Sequence, residues 1–216
     1  MPKVLHVGSS SWSTPATSFP LRSRGRARIV RTFYTRGLYH MEGIGGYDYY
    51  YVEDVIPITT LKVGGTEWMV DDPPHWLGMQ LIARRCAGRV LCAGLGLGLI
   101  LFALRGNQGV TSVDVLEKEE DVIKLMKPLI PRCRILEGDF WRFEDFRAYD
   151  TIFVDIWSGY ETGEKVAEMR RALRMIKLNA PRASVFIWGL KDMTANPALC
   201  GPLQEGEQGP GSRPDG

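Results

Sequence analysis

The sequence predicts an α/β protein with a doubly wound, mostly parallel β-sheet. Strand and helix patterns alternate between about residues 75 and 190, which is typical of βαβ units. A cluster of glycines directly follows the first buried strand of this region, at the edge where such sheets bind ligands. The composition, with 44% apolar and 24% charged residues over 216 positions, excludes collagens, coiled coils and mostly disordered chains.

The elements of this α/β core, residues 75–190, follow from hydrophobic periodicity. Short segments rich in β-branched and aliphatic residues are predicted strands: 89–93, 110–117, 133–137, 150–155 and 184–188. Segments with apolar residues at helical spacing are predicted helices: 76–85, 99–104, 119–129 and 164–178. Because crossovers between parallel strands are right-handed, these elements are expected to form one doubly wound sheet.

Ahead of the core, residues 41–74 are predicted to form a small antiparallel β-hairpin region. Aromatic and β-branched residues dominate 47–70, and Gly64-Gly65 is a favourable turn sequence. Asp71 and Asp72 then precede two prolines, so we expect a polar loop and a helix cap. A contact of these two carboxylates with a bound ligand is the alternative.

The first 40 residues form a predicted basic N-terminal arm. Residues 1–41 hold seven Lys and Arg and no Asp or Glu, whereas the rest of the chain has 20 bases against 25 acids. We interpret the arm as a solvated, partly disordered extension. An arm that binds nucleic acid and a transit peptide are the alternatives. The net charge of +2 does not by itself favour nucleic acid, and the basic residues of 170–177 are interpreted as a solvated helix face.

Simple counts disfavour several other classes of protein. No run of 18 uncharged apolar residues is present, so we expect no transmembrane helix and no membrane partner. The four cysteines form no C-x-x-C pair and the three histidines have no metal-ligand spacing. We therefore expect no metal and a reducing, cytoplasmic location. Residues 191–216 are a predicted disordered tail, because eight of the last sixteen residues are Gly or Pro.

The glycine cluster after strand 89–93 is the first candidate for chemistry. Gly94, Gly96 and Gly98 separate that strand from a helix, and glycine lets the backbone approach a ligand closely. The spacing departs from the dinucleotide fingerprint G-x-G-x-x-G because position 99 is Leu, which disfavours NAD and FAD. A tight turn without a ligand is the alternative, although three glycines would then cost stability.

A carboxylate at the end of the second strand is the next candidate. Glu117 follows Gly98 by nineteen residues, a position from which an acid can bind the hydroxyls of a ribose. Asp114 is the rival within the same strand, and an acid that merely begins the following helix is the structural alternative. We therefore predict that Glu117 binds the ribose of a ligand.

Together these motifs resemble a known superfamily. The stretch from Val90 to Trp157 is similar to the class I S-adenosylmethionine-dependent methyltransferase core, and within that superfamily to spermidine-synthase-like members. The matching segments, with a further likeness at 69–72, are 90–98, 115–123, 137–140 and 149–155. The resemblance implies S-adenosylmethionine as the cofactor and a transferase activity.

The resemblance also implies roles for individual residues. The glycines would line the methionine part and the ribose of the cofactor, and Asp139 would accept a hydrogen bond from the adenine amino group. Asp155 ends the fourth strand and would face the reaction centre. The implied cofactor-binding residues are Gly94, Gly96, Gly98, Glu117, Asp139, Phe140, Asp155 and Trp157.

Asp155 and Tyr160 are the predicted catalytic residues. A carboxylate at a strand end, walled by Trp157 and Tyr160, is partly desolvated, which raises its pKa and makes it a better base. The two aromatic rings would attract a sulfonium charge or a cationic amine. A structural role for Asp155 and ordinary packing of the two rings are the alternatives.

Departures from the family patterns decide between activities. Cys92 replaces the acid that is common on the first strand of methyltransferases, and 155–160 lacks the second Asp of aminopropyltransferases. We therefore predict an S-adenosylmethionine-dependent methyltransferase with an unknown acceptor. The alternatives are a spermidine-synthase-like aminopropyltransferase and a non-catalytic binding module with the same fold.

The same resemblance implies a sheet of seven strands, whereas only 28 residues follow Trp188. We therefore expect strands 6 and 7 to be missing, which leaves 184–188 at an exposed apolar edge. A second subunit over that edge is one explanation, and a truncated or altered C-terminus is the other. The sequence thus predicts a homo-oligomer.

Overall fold

The structure, a computed structural model, describes residues 1–41, 43–159 and 163–190. Its strands are β1 (Val4–Val7), β2 (Arg22–Arg24), β3 (Ala27–Tyr34), β4 (Gly37–His40), β5 (Tyr49–Val52), β6 (Ile56–Val63), β7 (Thr66–Val70), β8 (Gly88–Ala93), β9 (Val110–Glu117), β10 (Arg134–Glu137), β11 (Thr151–Val154) and β12 (Ser184–Ile187). Its α-helices are α1 (Pro73–Arg85), α2 (Leu99–Leu104), α3 (Glu120–Met126) and α4 (Gly163–Asn179). Short 3₁₀ helices cover Pro15–Ser18, Ile44–Gly46, Phe140–Arg142 and Asp145–Ala148.

The α/β core is built on a parallel five-stranded sheet in the order β10-β9-β8-β11-β12. The chain forms β8 first, adds β9 and β10 on one side, and then adds β11 and β12 on the other. The direction of winding therefore reverses between β8 and β11, and a crevice opens at the carboxyl ends of these two strands. The predicted α/β class with a parallel sheet is confirmed.

The side chains of β8 point alternately to the two faces of this sheet, and both faces are covered by apolar side chains. Val90 and Cys92 belong to the apolar cluster that includes α1, α2 and α3, whereas Leu91 and Ala93 belong to the cluster beneath α4. All four side chains are fully buried. Such a continuous apolar run is typical of a strand in a parallel sheet, and it accounts for Cys92 as a small buried apolar residue.

Two smaller sheets precede the core. The sheet β2-β3-β6-β7 is antiparallel, and the sheet β1-β5-β4 pairs β5 with a parallel and an antiparallel neighbour. Ile29 and Leu61 pack one face of the four-stranded sheet onto the α/β core, while Ile58 on its other face joins the apolar cluster of the three-stranded sheet. The four-stranded sheet is therefore a middle layer of the molecule.

The hairpin formed by β2 and β3 is anchored on α3. The backbone N–H of Arg26 donates to the Asp121 carboxylate at 2.8 Å, and the Arg26 guanidinium lies 4.0 Å from Glu119. A Cβ atom on Gly25 would overlap the same Asp121 carboxylate. These contacts hold the four-stranded sheet over the point where β9 ends and α3 begins.

The interpretation of residues 1–40 as a solvated extension is wrong. These residues form β1 to β4, and β3 pairs with β6 along its full length, so no boundary at residue 40 separates them from 41–74. The basic composition hid an alternating pattern, in which Ala27 and Ile29 are buried and Arg28 between them is exposed. A strand with one buried face can carry arginines on the other face at little cost.

Predictions about the end of the chain lie outside the described residues. These are the disordered tail at 191–216 and the loss of strands 6 and 7. The domain boundaries at 74 and 190 and the homo-oligomer stay predictions. Among the residues that the structure describes, no helix has the length and hydrophobicity to cross a membrane, and no cluster of His, Cys, Asp and Glu is arranged to hold a metal ion.

Candidate functional site

The glycine turn after β8 has a backbone that only glycine adopts without strain. Gly94, Gly96 and Gly98 all have positive φ angles, of 93°, 49° and 69°. Each also lies against a neighbour: a Cβ atom would overlap the Asp155 carbonyl oxygen at Gly94, the sulfur of Met69 at Gly96 and the Ile130 side chain at Gly98. The glycines are therefore required both by conformation and by close packing.

Replacing Gly94 by Ala is expected to destabilise the protein more than replacing Gly65 by Ala. Both glycines have φ near 90°, but Gly65 is in open space, whereas a methyl group at Gly94 meets backbone. The clash should add about 2 kcal/mol to the strain that both variants share, a difference of roughly 4–8 °C in Tm. Equal melting temperatures for Gly94→Ala and Gly65→Ala would show that the turn relaxes and that its close approach to Asp155 is not needed.

A cavity of about 200 Å³ lies at the carboxyl ends of β8, β9 and β11 and is closed from above by β6 and β7. Most of the predicted cofactor-binding residues line it: Gly94, Gly96, Glu117, Asp139, Phe140, Asp155 and Trp157. Gly98 does not line the cavity, because it begins α2 and faces Ile130. Tyr160, the second predicted catalytic residue, lies outside the described residues.

Glu117 holds the glycine turn as well as lining the cavity. One carboxylate oxygen accepts the Leu95 N–H at 2.9 Å, and the other accepts the N–H groups of Lys118 and Glu119. Since a carboxylate has about four acceptor positions, Glu117 retains about one for a ligand. Its rival Asp114 is buried, accepts the Tyr149 hydroxyl at 2.8 Å and is not part of the cavity wall.

Asp139 and Phe140 form the part of the wall that follows β10. The Asp139 carboxylate is exposed and accepts the Trp141 N–H at 2.9 Å, which caps the 3₁₀ helix that starts there. The Phe140 ring is buried and packs edge-on against Trp141 and Phe146. This arrangement places a hydrogen-bond acceptor beside a rigid aromatic surface, as a flat heterocycle would require.

Asp155 follows β11 directly, and its backbone N–H donates to Ala93. Burial raises the pKa of the Asp155 carboxyl group to about 6, although the charge of His75 acts in the opposite direction. No described residue donates a hydrogen bond to this carboxylate. Asp155 can therefore accept a proton near neutral pH, as expected for a general base.

His75 is a neighbour of Asp155 that sequence reasoning missed. It lies in the first turn of α1, where Asp72 accepts both the His75 backbone N–H and a hydrogen bond from its ring, with Nδ1 2.6 Å from the carboxylate. Burial, the largest single effect, opposes protonation of His75. The charge of Asp72, its hydrogen bond to the ring, and the charges of Asp155 and Glu67 together outweigh burial and raise the pKa of the imidazole. The predicted cap at Asp72 is confirmed, and it also holds a positive charge near Asp155.

Two residues of β7, Trp68 and Met69, also line the cavity and were not predicted. The Lys118 ammonium lies over the Trp68 ring, 5.6 Å from its centroid. The Met69 sulfur accepts the Leu97 N–H at 3.2 Å. The aromatic and β-branched residues of β7 predicted a strand. Only the packing of that strand on the glycine turn decides which of its side chains reach the cavity.

The charge of the cavity wall is strongly one-sided. Among the described residues that line it, Lys118 is the one lysine, and five residues are acidic: Glu117, Glu119, Asp139, Asp155 and Glu168. Trp157 supplies an aromatic face and donates its ring N–H to Glu168 at 2.9 Å. Carboxylates interspersed with indole rings favour a cationic group in the ligand.

Comparisons with known proteins gave matches among solved structures only. No family model matches the chain, and no curated protein matches it. An S-adenosylmethionine-bound amino pentose methyltransferase of Micromonospora echinaspora is 27% identical over 47% of this chain and 42% of its own, with a TM-score of 0.33. The spermidine synthase of Thermotoga maritima is 13% identical over 64% and 58%, with a TM-score of 0.36.

A spermidine synthase in complex with the transition-state analogue AdoDATO is 13% identical over 76% of this chain and 64% of its own, with a TM-score of 0.42. The chain thus spans 42% to 64% of the length of these three solved structures. One of the three is a methyltransferase and two are spermidine synthases.

Proposed function

We propose that this protein is an S-adenosylmethionine-dependent methyltransferase. One observation carries the proposal: the turn at Gly94, the carboxylate of Glu117 and the carboxylate of Asp155 line one cavity where the winding of the sheet reverses. Ligands of doubly wound sheets bind at this position. The three groups come from the ends of three neighbouring strands, β9, β8 and β11.

The residues of the cavity fit the parts of such a donor. Glu117 has acceptor capacity left for a ribose hydroxyl. Asp139 and Phe140 provide an acceptor and an aromatic surface for adenine. The acidic and aromatic wall near Asp155 and Trp157 suits a sulfonium centre.

When bound, S-adenosylmethionine would supply an electrophilic methyl group on a positively charged sulfur. The acceptor would attack that carbon with a lone pair, the carbon–sulfur bond would break, and its electron pair would stay on sulfur. The protein would align the acceptor and take up the proton that the acceptor loses. The Asp155 carboxylate suits the second role, because it lines the cavity and has a pKa of about 6.

Thermal unfolding with S-adenosylmethionine, S-adenosylhomocysteine, methylthioadenosine and NAD tests the proposal. Ligand at 100 times its Kd stabilises a protein by about 2.7 kcal/mol, so Tm should rise by roughly 5–11 °C with the sulfur-containing ligands that bind. NAD should have no effect, because position 99 is Leu. If none of the four ligands raises Tm, the glycine turn is architecture only and the protein is a binding module of this fold.

The charge of the cavity favours one rival activity. A wall with several carboxylates and one lysine offers little to the carboxylate of S-adenosylmethionine, but it suits the free amine of decarboxylated S-adenosylmethionine. An aminopropyltransferase is therefore the second candidate. Product analysis separates the two, since methyl transfer releases S-adenosylhomocysteine and aminopropyl transfer releases methylthioadenosine.

A further inference from the structure

Met69 occupies the end of the cavity that borders the glycine turn. It comes from β7, in the sheet that covers the core, and is 8% exposed. Its sulfur lies so close to Gly96 that a Cβ atom there would overlap it. The thioether therefore rests directly on the backbone of the turn, in a position that no larger residue at 96 would allow.

The contact of Met69 with the turn uses a backbone donor. The Leu97 N–H points at the Met69 sulfur, 3.2 Å away. A thioether is a weak acceptor, so a ligand oxygen could replace it with a gain in hydrogen-bond strength. Methionine has several rotatable bonds and adapts to its surroundings more readily than other apolar side chains, so Met69 can turn away without moving β7.

The small volume of the cavity is consistent with Met69 closing it at the glycine turn. About 200 Å³ is less than the roughly 300–1,000 Å³ typical of sites for small ligands. Glu117, Asp139 and Phe140 lie on the wall where a nucleoside would bind, whereas Met69 stands at the glycine turn, toward which the chain attached to the nucleoside would extend.

We propose that Met69 determines which nucleoside thioethers the site accepts, by limiting the length of the chain attached to sulfur. This inference rests on the proposed function and specifies its ligand. A short chain, as in methylthioadenosine, fits with Met69 in place. A full amino-acid chain, as in S-adenosylhomocysteine, requires Met69 to leave Gly96, so part of its binding free energy is lost in moving that side chain.

Calorimetric titration of methylthioadenosine and S-adenosylhomocysteine into Met69 variants tests this. In Met69→Ala, S-adenosylhomocysteine should bind at least tenfold more tightly, with less than a twofold change for methylthioadenosine. If the Ala variant does not fold, Met69→Val takes its place, because it keeps a side chain suited to a strand. It should change the ratio in the same direction. Met69→Leu keeps the volume with less flexibility, so the ratio of the two affinities should not shift in favour of S-adenosylhomocysteine.

Met79→Ala is the matched control, because Met79 is a fully buried methionine of α1 that does not line the cavity. It should lower Tm without changing the ratio. A ratio that does not change in Met69→Ala or Met69→Val, or that changes as much in Met79→Ala, overturns the role of Met69 and leaves the proposed function standing. If neither ligand binds any folded variant, the proposed function and the inference fail together.

Discussion

Replacing Asp155 by Asn should lower the rate of group transfer by about 10²–10⁴-fold, the usual contribution of a general base. The amide is nearly the same size as the carboxylate but cannot take up the acceptor's proton. The affinity for the donor should fall much less than the rate, since Glu117, Asp139 and Phe140 remain in the wall. The measurement is single-turnover product formation, with Asp145→Asn, an exposed position outside the cavity wall, as the control.

The rate should also depend on pH in a defined direction. Because the pKa of Asp155 is about 6, the carboxylate is ionised above pH 6 and the rate should fall as the pH is lowered through that value. In Asp155→Asn this dependence should disappear. A variant with an unchanged rate and an unchanged pH profile would show that Asp155 is structural.

Stability gives Asp155→Asn a second, independent readout. Burial raises the pKa of Asp155 from 3.8 in the unfolded chain to about 6 in the folded protein. The folded state therefore binds the proton more tightly, so this group stabilises it below about pH 4, and that stability is lost as the pH rises from about 4 to 6. The loss is on the order of 2–3 kcal/mol, so Asp155→Asn should unfold at a higher temperature than the parent protein at pH 8.

Replacing Glu117 by Ala is expected to weaken binding of S-adenosylhomocysteine by about 10–100-fold, the contribution of one hydrogen bond to a charged group. Hydrogen bonds to a charged group contribute about 1.5–3 kcal/mol each, and tenfold in Kd corresponds to 1.4 kcal/mol. The variant also removes the acceptor of the Leu95 N–H, so the glycine turn should loosen and Tm should fall. Isothermal titration and thermal unfolding measure the two effects.

Glu117→Gln separates the two roles of this side chain. Its single amide oxygen can still accept the Leu95 N–H, but its NH2 group cannot accept the N–H groups of Lys118 and Glu119. We therefore expect weaker binding and a Tm between those of Glu117→Ala and the parent protein. Glu120→Gln is the matched control, because Glu120 is exposed, pairs with Lys124 and does not line the cavity. Tight binding of S-adenosylhomocysteine by Glu117→Ala would contradict the assignment of Glu117 to the ribose.

The sequence by itself determined the α/β core and the positions of Gly94, Glu117 and Asp155 in the cavity wall. Each lies at or just after the carboxyl end of a predicted strand, and parallel strands bring their carboxyl ends to one edge of the sheet. The local sequence pattern and the topology of a parallel sheet were therefore sufficient to predict that these residues lie together, without knowledge of how the other segments pack.

Only the tertiary structure decided what covers that edge. The strands at 1–40 are stabilised by pairing with β5 and β6. Such long-range pairing cannot be predicted from the basic composition of this segment. His75 reaches the surroundings of Asp155 because Asp72 caps α1 and holds its first turn there. Met69 reaches Gly96 because β7 packs on the turn. Gly98 is near the lining residues Gly94 and Gly96 in sequence, but it faces Ile130 and not the cavity. These contacts join segments that are far apart in the chain. They are determined by how whole helices and strands pack together, and hydrophobic periodicity does not predict that packing.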